Sequence, residues 1–375
     1  MAKKRGKKIA LLTNMVAPYR VPFFEALANE HDIRQLDILT CIEREVDREW
    51  AVKNSKSYNV LQQKGITLNL NKGADGKRIL HFKFSIILYL LFKRPDVLVI
   101  GDASWTSFIA AFVCKILMID YIVWNEITTT SKVSVGIVSK LRRLMYRGAK
   151  HLIASCEMAT EYLTSCGVPE FRISIVNNAV DNQFFLQKKR ELQSNRDATR
   201  AQLNIAKDSL CFIYVGQLIS RKRVIETVKL ISALSSVQKV HLLIAGNGPL
   251  ENEMKQVASD LSFEDITFCG FMDAEKLCEL YTASDSLILL SEDEPWGMVV
   301  NEALLFENSV IASNAVAAAV EYRELSEVAT LEHLSLSVED FRKIVSETDR
   351  KNGVPAALSS PEYMSEQFNV VLNSL

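Results

Sequence analysis

Short apolar runs alternate with longer amphipathic stretches along the whole chain. The runs are typical of buried strands, and the stretches between them, such as 21–29 and 274–283, place apolar residues at helical spacing. This alternation predicts two series of parallel strands, each covered by helices on both faces as a doubly wound α/β domain. The predicted strands are 9–13, 36–40, 97–100, 121–124, 151–154 and 173–176 in the first series, and 210–215, 240–245, 266–269, 286–290 and 310–312 in the second.

The strand pattern stops between the two series, at 182–204. Residues 187–196 are almost all polar there, which indicates a connector or an exposed helix. We expect a first domain over 1–185, a second over 186–355, and a C-terminal helix within 356–375 that packs back on the first domain. Ligands of doubly wound domains bind beyond the carboxyl ends of the strands, so chemistry is expected in the loops that follow them.

The composition is that of an ordinary globular protein, with 375 residues, 48% hydrophobic and 24% charged. The longest apolar runs, 82–92 and 108–119, each contain a lysine and are shorter than the roughly 20 residues that span a bilayer. Only a short strand-like run follows the basic residues Lys3, Lys4 and Arg5, so no secretion signal is expected. Seven cysteines without Cys-x-x-Cys spacing favour buried thiols and a reducing, cytoplasmic location.

Charge divides unevenly along the chain. Residues 1–180 carry 26 Lys and Arg against 16 Asp and Glu, and the remainder carries 18 against 29. A basic half indicates contact with an anionic partner. Because no basic motif is interleaved with aromatic residues, we expect an anionic membrane face rather than nucleic acid. Solvated surface lysines remain the alternative.

Four strand-to-helix junctions of the second half carry candidate chemistry. At the first, Gly216 allows a sharp turn off the strand, and Arg221, Lys222 and Arg223 follow it. Cations in such a loop can neutralise a diphosphate, although a solvated charge run would look the same.

At the second junction, Gly246 and Gly248 are expected to free backbone amides at a strand end, and Pro249 to start a helix. A plain tight turn would use the same residues. At the third, Gly270 ends a strand and Phe271 could contact a flat base.

The fourth junction is the most informative. Glu294 lies in a loop and Glu302 on the second turn of the helix that follows. A carboxylate can accept hydrogen bonds from paired sugar hydroxyls. The amides of 297–299, at the positive end of that helix, would face a phosphate. An acidic loop with a helix-face glutamate is the alternative.

In this order and spacing, the segments resemble retaining glycosyltransferases of family four, whose signature is Glu-x7-Glu. The resemblance covers almost the whole chain, and it implies a GT-B fold of two Rossmann-like doubly wound domains that face each other across a cleft. The matching segments are Gly216-Gln-Leu … Lys222-Arg223, Gly246-Asn-Gly-Pro249, Glu294-Pro-Trp-Gly-Met-Val-Val-Asn-Glu302-Ala303 and Val310-Ile-Ala-Ser313.

The resemblance implies transfer of a sugar from a nucleoside diphosphate sugar with retained anomeric configuration. It assigns the donor diphosphate to Lys222, the sugar hydroxyls to Glu294 and the ribose to Glu302. Lys222, Glu294 and Glu126 are the catalytic candidates, and Arg20 is an acceptor-side candidate. A helix-cap acid is the alternative for Glu126, and a surface cation is the alternative for Arg20. The full set of donor-binding candidates is Gly216, Gln217, Arg221, Lys222, Asn247, Gly248, Phe271, Glu294, Trp296, Gly297, Met298, Val299 and Glu302.

The expected partners are the nucleotide sugar and a saccharide or lipid-linked acceptor of cell-envelope polysaccharide or glycoconjugate synthesis. An anionic membrane at the inner face of the cell is also expected. No Asp-x-Asp pair is placed to hold a divalent ion, so we expect neither a metal nor another cofactor, and no nucleic acid.

The sequence departs from the family pattern where Gln217 replaces an arginine and Arg223 a glycine. The stretches 307–309 and 317–319 replace segments that normally contain glycine. Missing glycines can close off backbone amides. Two alternatives therefore stay open: a catalytically inactive GT-B partner subunit, and a nucleotide-sugar epimerase on the same architecture.

Overall fold

The computed structural model describes residues 6–42, 55–71, 77–101, 104–133, 136–348 and 353–375. They form two compact units. The described residues of the first fall within Met1–Thr129, Val133–Val180 and Ser359–Leu375, and those of the second within Thr130–Lys132 and Asp181–Leu358. The unit boundaries thus follow Val180 and Leu358, where the sequence pattern placed them at 185 and 355. Lys3, Lys4 and Arg5 lie outside the described residues.

The first unit is a parallel sheet with helices on it. The sheet strands follow the order β3-β2-β1-β6-β7-β8-β9, and β4 pairs with β5 as a separate antiparallel hairpin. The strands are β1 (Lys7–Thr13), β2 (Ile33–Thr40), β3 (Asn59–Gln62), β4 (Ile66–Asn71), β5 (Lys77–Phe82), β6 (Val97–Ile100), β7 (Asp120–Asn125), β8 (Leu152–Ala154) and β9 (Ile173–Ile175). The helices are α1 (Val21–Asn29), α2 (Ser85–Lys93), α3 (Trp105–Leu117), α4 (Ile137–Gly148) and α5 (Glu157–Ser165).

The second unit repeats the architecture with six parallel strands in the order β12-β11-β10-β13-β14-β15. Its strands are β10 (Leu210–Val215), β11 (Val240–Ala245), β12 (Ile266–Gly270), β13 (Ser286–Leu289), β14 (Ser309–Ser313) and β15 (Val328–Leu331). Its helices are α6 (Asn182–Leu192), α7 (Arg196–Gln202), α8 (Val224–Ser235), α9 (Glu251–Asp260), α10 (Ala274–Ala283), α11 (Met298–Leu305), α12 (Ala317–Glu321) and α13 (Val338–Glu347).

All eleven predicted strands occur, with ends that differ by at most three residues. The prediction missed β3, β15 and the hairpin β4–β5, which lack a continuous apolar run. All four residues of β3 are exposed, so burial left no apolar pattern to read there. Within the described ranges, no helix has both the length and the apolar content to cross a bilayer.

The polar stretch between the two strand series forms α6 and α7 of the second unit. Arg196 and Arg200 on α7 both reach the carboxylate of Asp285, with nitrogen–oxygen distances of 2.6 and 3.2 Å. The same carboxylate accepts the backbone N–H of Cys211 at 2.9 Å. Asp285 therefore ties α7 to the starts of β10 and β13, which explains an acidic residue at the beginning of a buried strand.

The C-terminal helix α14 (Pro361–Asn373) lies in the first unit, where it packs against α1. Phe368 on α14 forms an edge-packed aromatic cluster with Phe23 and Trp124, at ring-centroid distances of 5.3 and 5.4 Å. Ser365 and Asn369 both donate hydrogen bonds to the carboxylate of Glu30, at 2.7 and 3.2 Å. Helix α14 is therefore part of the hydrophobic core of the first unit.

We expect Phe368→Ala to lower the free energy of unfolding by about 3–5 kcal/mol, because it leaves a cavity between Phe23 and Trp124. Val370→Ala is the matched control: Val370 lies on the same helix with 64% of its surface exposed, and its change should stay within about 0.5 kcal/mol. Urea denaturation of both variants measures the difference. Equal losses would contradict a core role for Phe368.

Candidate functional site

The strand order places the first and fourth junctions side by side. β10 and β13 are parallel neighbours, while β11 and β12 extend the sheet on one side and β14 and β15 on the other. A sheet whose strand order reverses in this way leaves a crevice at the carboxyl ends of the two central strands. The loops after β10 and β13 therefore meet there, although they are far apart in the chain.

Main-chain contacts lock these two loops together. The N–H of Glu292 donates to the carbonyl of Arg221 at 2.8 Å, and Nη1 of Arg221 donates to the carbonyl of Asp293 at 2.9 Å. Arg223 adds a longer contact of 3.4 Å to the Glu292 carboxylate. Arg221 is thus engaged in holding the loop of Glu294 against the loop of Lys222.

Lys222 and Glu294 form an ion pair at this meeting point. Lys222 ends a short 3₁₀ turn, Ser220–Lys222, and is only 8% exposed. Glu294 also accepts a hydrogen bond from Ser291 Oγ at 3.3 Å. Because each charge is largely withdrawn from water, removing either one leaves its partner buried and unpaired.

The left-handed conformation of Arg223, with φ of 52°, explains why the family pattern has glycine at this position. Glycine adopts that region without steric cost, whereas arginine costs roughly 1–2 kcal/mol. The turn nevertheless forms, and the helix α8 starts at the next residue. Replacement of the glycine therefore leaves Lys222 in place.

The loop after β14 supports Glu294 from the other side. The N–H of Glu294 donates to the carbonyl of Ala315 at 3.2 Å, and the N–H of Ala317 donates to the carbonyl of Glu294 at 3.1 Å. Ala318 donates in the same way to Trp296 at 2.9 Å. The alanines that replace a glycine-containing segment are buried, and their amides hold the loop of Glu294.

Gly297 completes the arrangement. Its φ of 97° is a glycine conformation, and a Cβ there would lie 3.2 Å from both Glu294 Cγ and Val316 Cγ1. Gly297 is also the N-cap of α11, which has no side-chain cap. The first turn of α11, at Met298 and Val299, therefore starts beside Glu294, and its amide end favours an anion.

Trp296, a predicted donor contact, is used in the core instead. Its side chain is buried, its indole N–H donates to Asn301 Oδ1 at 2.8 Å, and its ring lies edge-on to Tyr322. The motif places an aromatic residue here because the loop needs an anchor, and the sequence offered no way to tell an anchor from a ligand contact.

Glu302 lies on the second turn of α11 and is half-buried. It accepts a hydrogen bond from the hydroxyl of Tyr281 at 2.8 Å. Burial raises the pKa of Glu302 to about 7, against an ordinary value of 4.5, and the tyrosine bond opposes this only in part. Burial, with Glu302 beside it, likewise raises the pKa of Tyr281 well above 10.

The glycines of the second junction serve close packing. A Cβ on Gly246 would lie 1.8 Å from the carbonyl oxygen of Gly216, and one on Gly248 would lie 2.4 Å from that of Leu218. The N–H of Gly246 donates to the carbonyl of Gly270 at 2.8 Å. The prediction that Gly246 offers a spare amide is therefore wrong.

Helix α9 begins at Glu251, so Pro249 precedes the helix rather than starting it. Asn247 and Gln217 are exposed on the loops around these glycines. Phe271 is exposed after β12, two strands away from β10. Gln217 shares the loop after β10 with Lys222, whereas Asn247 and Phe271 follow β11 and β12, one and two strands farther along the same sheet edge.

The first unit has its own polar cluster at the carboxyl ends of β1 and β7. The buried guanidinium of Arg20 pairs with Glu126 at 2.5 Å and lies 4.1 Å from the ring centroid of Trp124. Asn178 donates to the other oxygen of Glu126 at 2.6 Å. Burial lowers the pKa of Arg20, but Glu126 and Tyr19 together more than offset this effect and raise the pKa above its ordinary value, so the guanidinium stays charged.

The sequence pattern gave no sign of several supporting residues. Tyr281, Asn301 and Ser291 fix the acidic side chains and their loop, and Asn178 fixes Glu126. Ser131 and Lys132 belong to the second unit and contact Asp293 and Glu292 at 3.2 and 3.1 Å. Asn301 lies inside the Glu-x7-Glu segment and Ser291 lies three residues before it, but the motif spacing gives neither a role. Tyr281 and Asn178 meet their partners only through tertiary contacts.

In the described ranges, no group of three or more His, Cys, Asp and Glu side chains is arranged to hold a metal ion. All seven cysteines are thiols, and six of them are buried.

Part of the second unit matches a known protein family. Residues 195–345 match the family described as glycosyl transferases group 1. The match contains Lys222, Glu294 and Glu302, and it confirms the glycosyltransferase resemblance read from the sequence motifs.

Two curated relatives match part of the chain. It is 22% identical over 171 residues to an uncharacterised glycosyltransferase of Methanocaldococcus jannaschii, which covers 45% of this chain and 43% of that protein. It is 28% identical over 139 residues to N-acetyl-alpha-D-glucosaminyl L-malate synthase of Bacillus anthracis, which covers 36% and 34%. The chain thus spans less than half the length of these relatives.

A solved structure matches over nearly the whole length. Anabaena HepE in complex with UDP superposes with a TM-score of 0.70 and 14% identity, covering 98% of this chain and 100% of that one. At that identity the likeness concerns the fold alone. Together with the two doubly wound sheets, it confirms the predicted GT-B fold class.

We expect Glu302→Gln to remove a pH dependence of stability while keeping an acceptor for Tyr281. The folded protein holds the Glu302 proton more tightly than the unfolded chain, so the wild-type protein loses stability as pH rises from about 5 through 7. Relative to the wild type, the variant should gain up to about 3 kcal/mol over this range. Urea denaturation of both proteins at pH 5 and pH 8 measures this gain, and an identical difference at the two pH values would contradict the raised pKa.

Proposed function

We propose that the chain is a retaining glycosyltransferase that moves a sugar from a nucleoside diphosphate sugar to a saccharide or lipid-linked acceptor. The observation that carries the proposal is the convergence of Lys222, Glu294 and the turn at Gly297 at the strand-order reversal between β10 and β13. A diphosphate sugar requires three groups: a cation, an acceptor of hydrogen bonds from the sugar hydroxyls, and a helix N-terminus that favours an anion.

In this proposal the bound diphosphate takes over Lys222 from Glu294. The ammonium then meets the leaving phosphate, and the carboxylate accepts hydrogen bonds from the sugar hydroxyls. The first amides of α11 stabilise the same negative charge as the bond to the anomeric carbon breaks. No metal or other cofactor is assigned a part. The existing ion pair supports this mechanism, because it already holds both side chains at one place.

Glu302 is proposed to accept hydrogen bonds from the ribose hydroxyls. Its half-buried position on α11, one helical turn from Val299, supports that assignment. Arg221, Asn247, Gln217 and Phe271 remain proposed donor contacts at the edge of the site.

Glu126 and Arg20 are proposed as the catalytic carboxylate and the acceptor-side cation of the first unit. Their pairing supports a single polar cluster with a fixed geometry. Because Arg20 and Asn178 occupy both oxygens of Glu126, we propose that this carboxylate orients hydroxyl groups rather than attacking the sugar.

UDP-glucose is the first donor to test, because HepE, which shares this fold, has been solved in complex with UDP and with UDP-glucose. We propose a role in cell-envelope polysaccharide or glycoconjugate synthesis, at the cytoplasmic side of a membrane. The basic first half of the chain supports that location.

We expect Lys222→Met and Glu294→Gln each to reduce transfer by about 10²–10³-fold, the loss typical of one oxyanion-stabilising donor. Lys222→Met should also lower stability, because Glu294 remains buried and unpaired. The double variant should recover stability without recovering transfer, which separates catalysis from folding. Lys255→Met, at a half-exposed helix position, is the control and should keep full activity. Wild-type turnover in both single variants would rule out this site.

The anomeric configuration of the product tests the retaining assignment. The linkage formed from an α-linked donor should be α, which proton NMR of the purified product reads from the anomeric coupling constant. A β linkage would contradict retention. Incubation with donor alone distinguishes the epimerase alternative, since only an epimerase changes the sugar nucleotide without an acceptor.

A further inference from the structure

We propose that the outward faces of α2, α3 and α4 form a docking surface for a lipid bilayer that contains anionic lipids. The surface has an apolar centre and a basic border, and it lies entirely in the first unit. This inference is independent of the proposed catalytic site. The apolar patch consists of Leu88, Leu91, Phe92, Phe112, Ile116 and Met118, all of them exposed.

Helical spacing puts each set of apolar side chains on one side of its helix. Leu88, Leu91 and Phe92 follow the i, i+3, i+4 pattern on α2, and Phe112 and Ile116 follow i, i+4 on α3. The opposite sides of both helices carry their buried residues. The apolar stripe that faces outward is therefore additional to the one that packs on the sheet.

The two stripes join into one patch. Helix α3 packs against both α2 and α4. Nη2 of Arg94, just after α2, donates to the carbonyl of Leu117 at the end of α3, at 3.1 Å. The C-terminal ends of α2 and α3 are thus adjacent, and Phe92, Ile116 and Met118 each lie within one residue of these ends. Phe92 is 81% exposed, and contiguous exposed apolar side chains of this size mark interaction surfaces.

The three helices that carry the patch hold charges of one sign. Helices α2, α3 and α4 contain no Asp or Glu. Lys93 and Lys115 are exposed beside the apolar residues, and α4 presents Lys140, Arg143 and Arg147. Such a border attracts anionic headgroups, and lysine and arginine stems can lie along the acyl region while their charges stay in water.

The exposed apolar side chains favour an anionic bilayer over an acidic protein as the binding partner. An acidic protein would satisfy the cations but would have to cover a wide aliphatic and aromatic surface as well. A bilayer interface accepts both at once, because large apolar side chains enter the acyl boundary beneath the phosphate layer.

Sedimentation of the full chain with sucrose-loaded vesicles tests the proposal. Vesicles of phosphatidylcholine with about one-third phosphatidylglycerol should bind the protein, and pure phosphatidylcholine vesicles should bind it at least about tenfold less. Lys93→Gln with Lys115→Gln should weaken binding by about fivefold per residue. Phe92→Ser should weaken it by about tenfold through lost insertion.

Leu91→Ser and Leu261→Ser form a matched pair, since these leucines are 43% and 47% exposed and Leu261 lies in the second unit. Only Leu91→Ser should reduce vesicle binding, and both should keep the wild-type melting temperature. Equal binding to neutral and anionic vesicles, or an equal effect of the two serine variants, would overturn the proposal. A lipid-free dimer that Phe92→Ser dissociates would also overturn it, because a second copy would then be the occupant of the patch.

Discussion

The pairing of β10 with β13 is the constraint on which the candidate site depends. Phe212 lies opposite Ser286 and Ile213 opposite Leu287 in a parallel register, so the loops that follow must run out of the sheet at the same edge. The Lys222–Glu294 pair can be buried only because each charge lies beside the opposite one at that edge. The sheet thus brings together two motifs that are far apart in the chain. The pairing of the two strands sets the distance between Lys222 and Glu294.

The departures from the family pattern show how such a site tolerates lost glycines. Arg223 keeps the left-handed turn that a glycine would adopt, and its side chain contacts Glu292. The alanines of α12 use their amides to hold Glu294 and Trp296. Gly216, Gly246, Gly248 and Gly297, by contrast, are positions where backbone or side-chain atoms leave little or no room for a Cβ. Glycine is retained where space requires it, and the altered positions keep the backbone they need.

The sequence allowed prediction of the elements and the motif residues, and much less of what surrounds them. Buried parallel strands are continuous apolar runs, so their positions could be read, whereas β3 is exposed and carries no such signal. Lys222 and Glu294 stood out through motif spacing. The burial of the Trp296 side chain could not be predicted, because an aromatic residue in a loop looks the same in the sequence whether it anchors the loop or contacts a ligand. Tyr281 donates a hydrogen bond to Glu302. Only tertiary packing brings the two residues together, so no sequence pattern indicated this contact.

The two units also differ in where their lysine and arginine side chains lie. The second half of the chain is acidic overall, and Lys222 is buried there beside a carboxylate with which the proposed diphosphate would have to compete. Three helices of the first unit, α2, α3 and α4, instead present exposed cations around apolar side chains, with no acidic residue on the same helices: Lys93, Lys115, Lys140, Arg143 and Arg147. A buried, paired cation is selective, because a ligand can displace its carboxylate only if the ligand also forms hydrogen bonds to that carboxylate. Exposed cations offer no such selection and suit a broad anionic surface. The opposite placement of lysine and arginine side chains therefore supports both proposals, specific recognition by the second unit and general adhesion by the first.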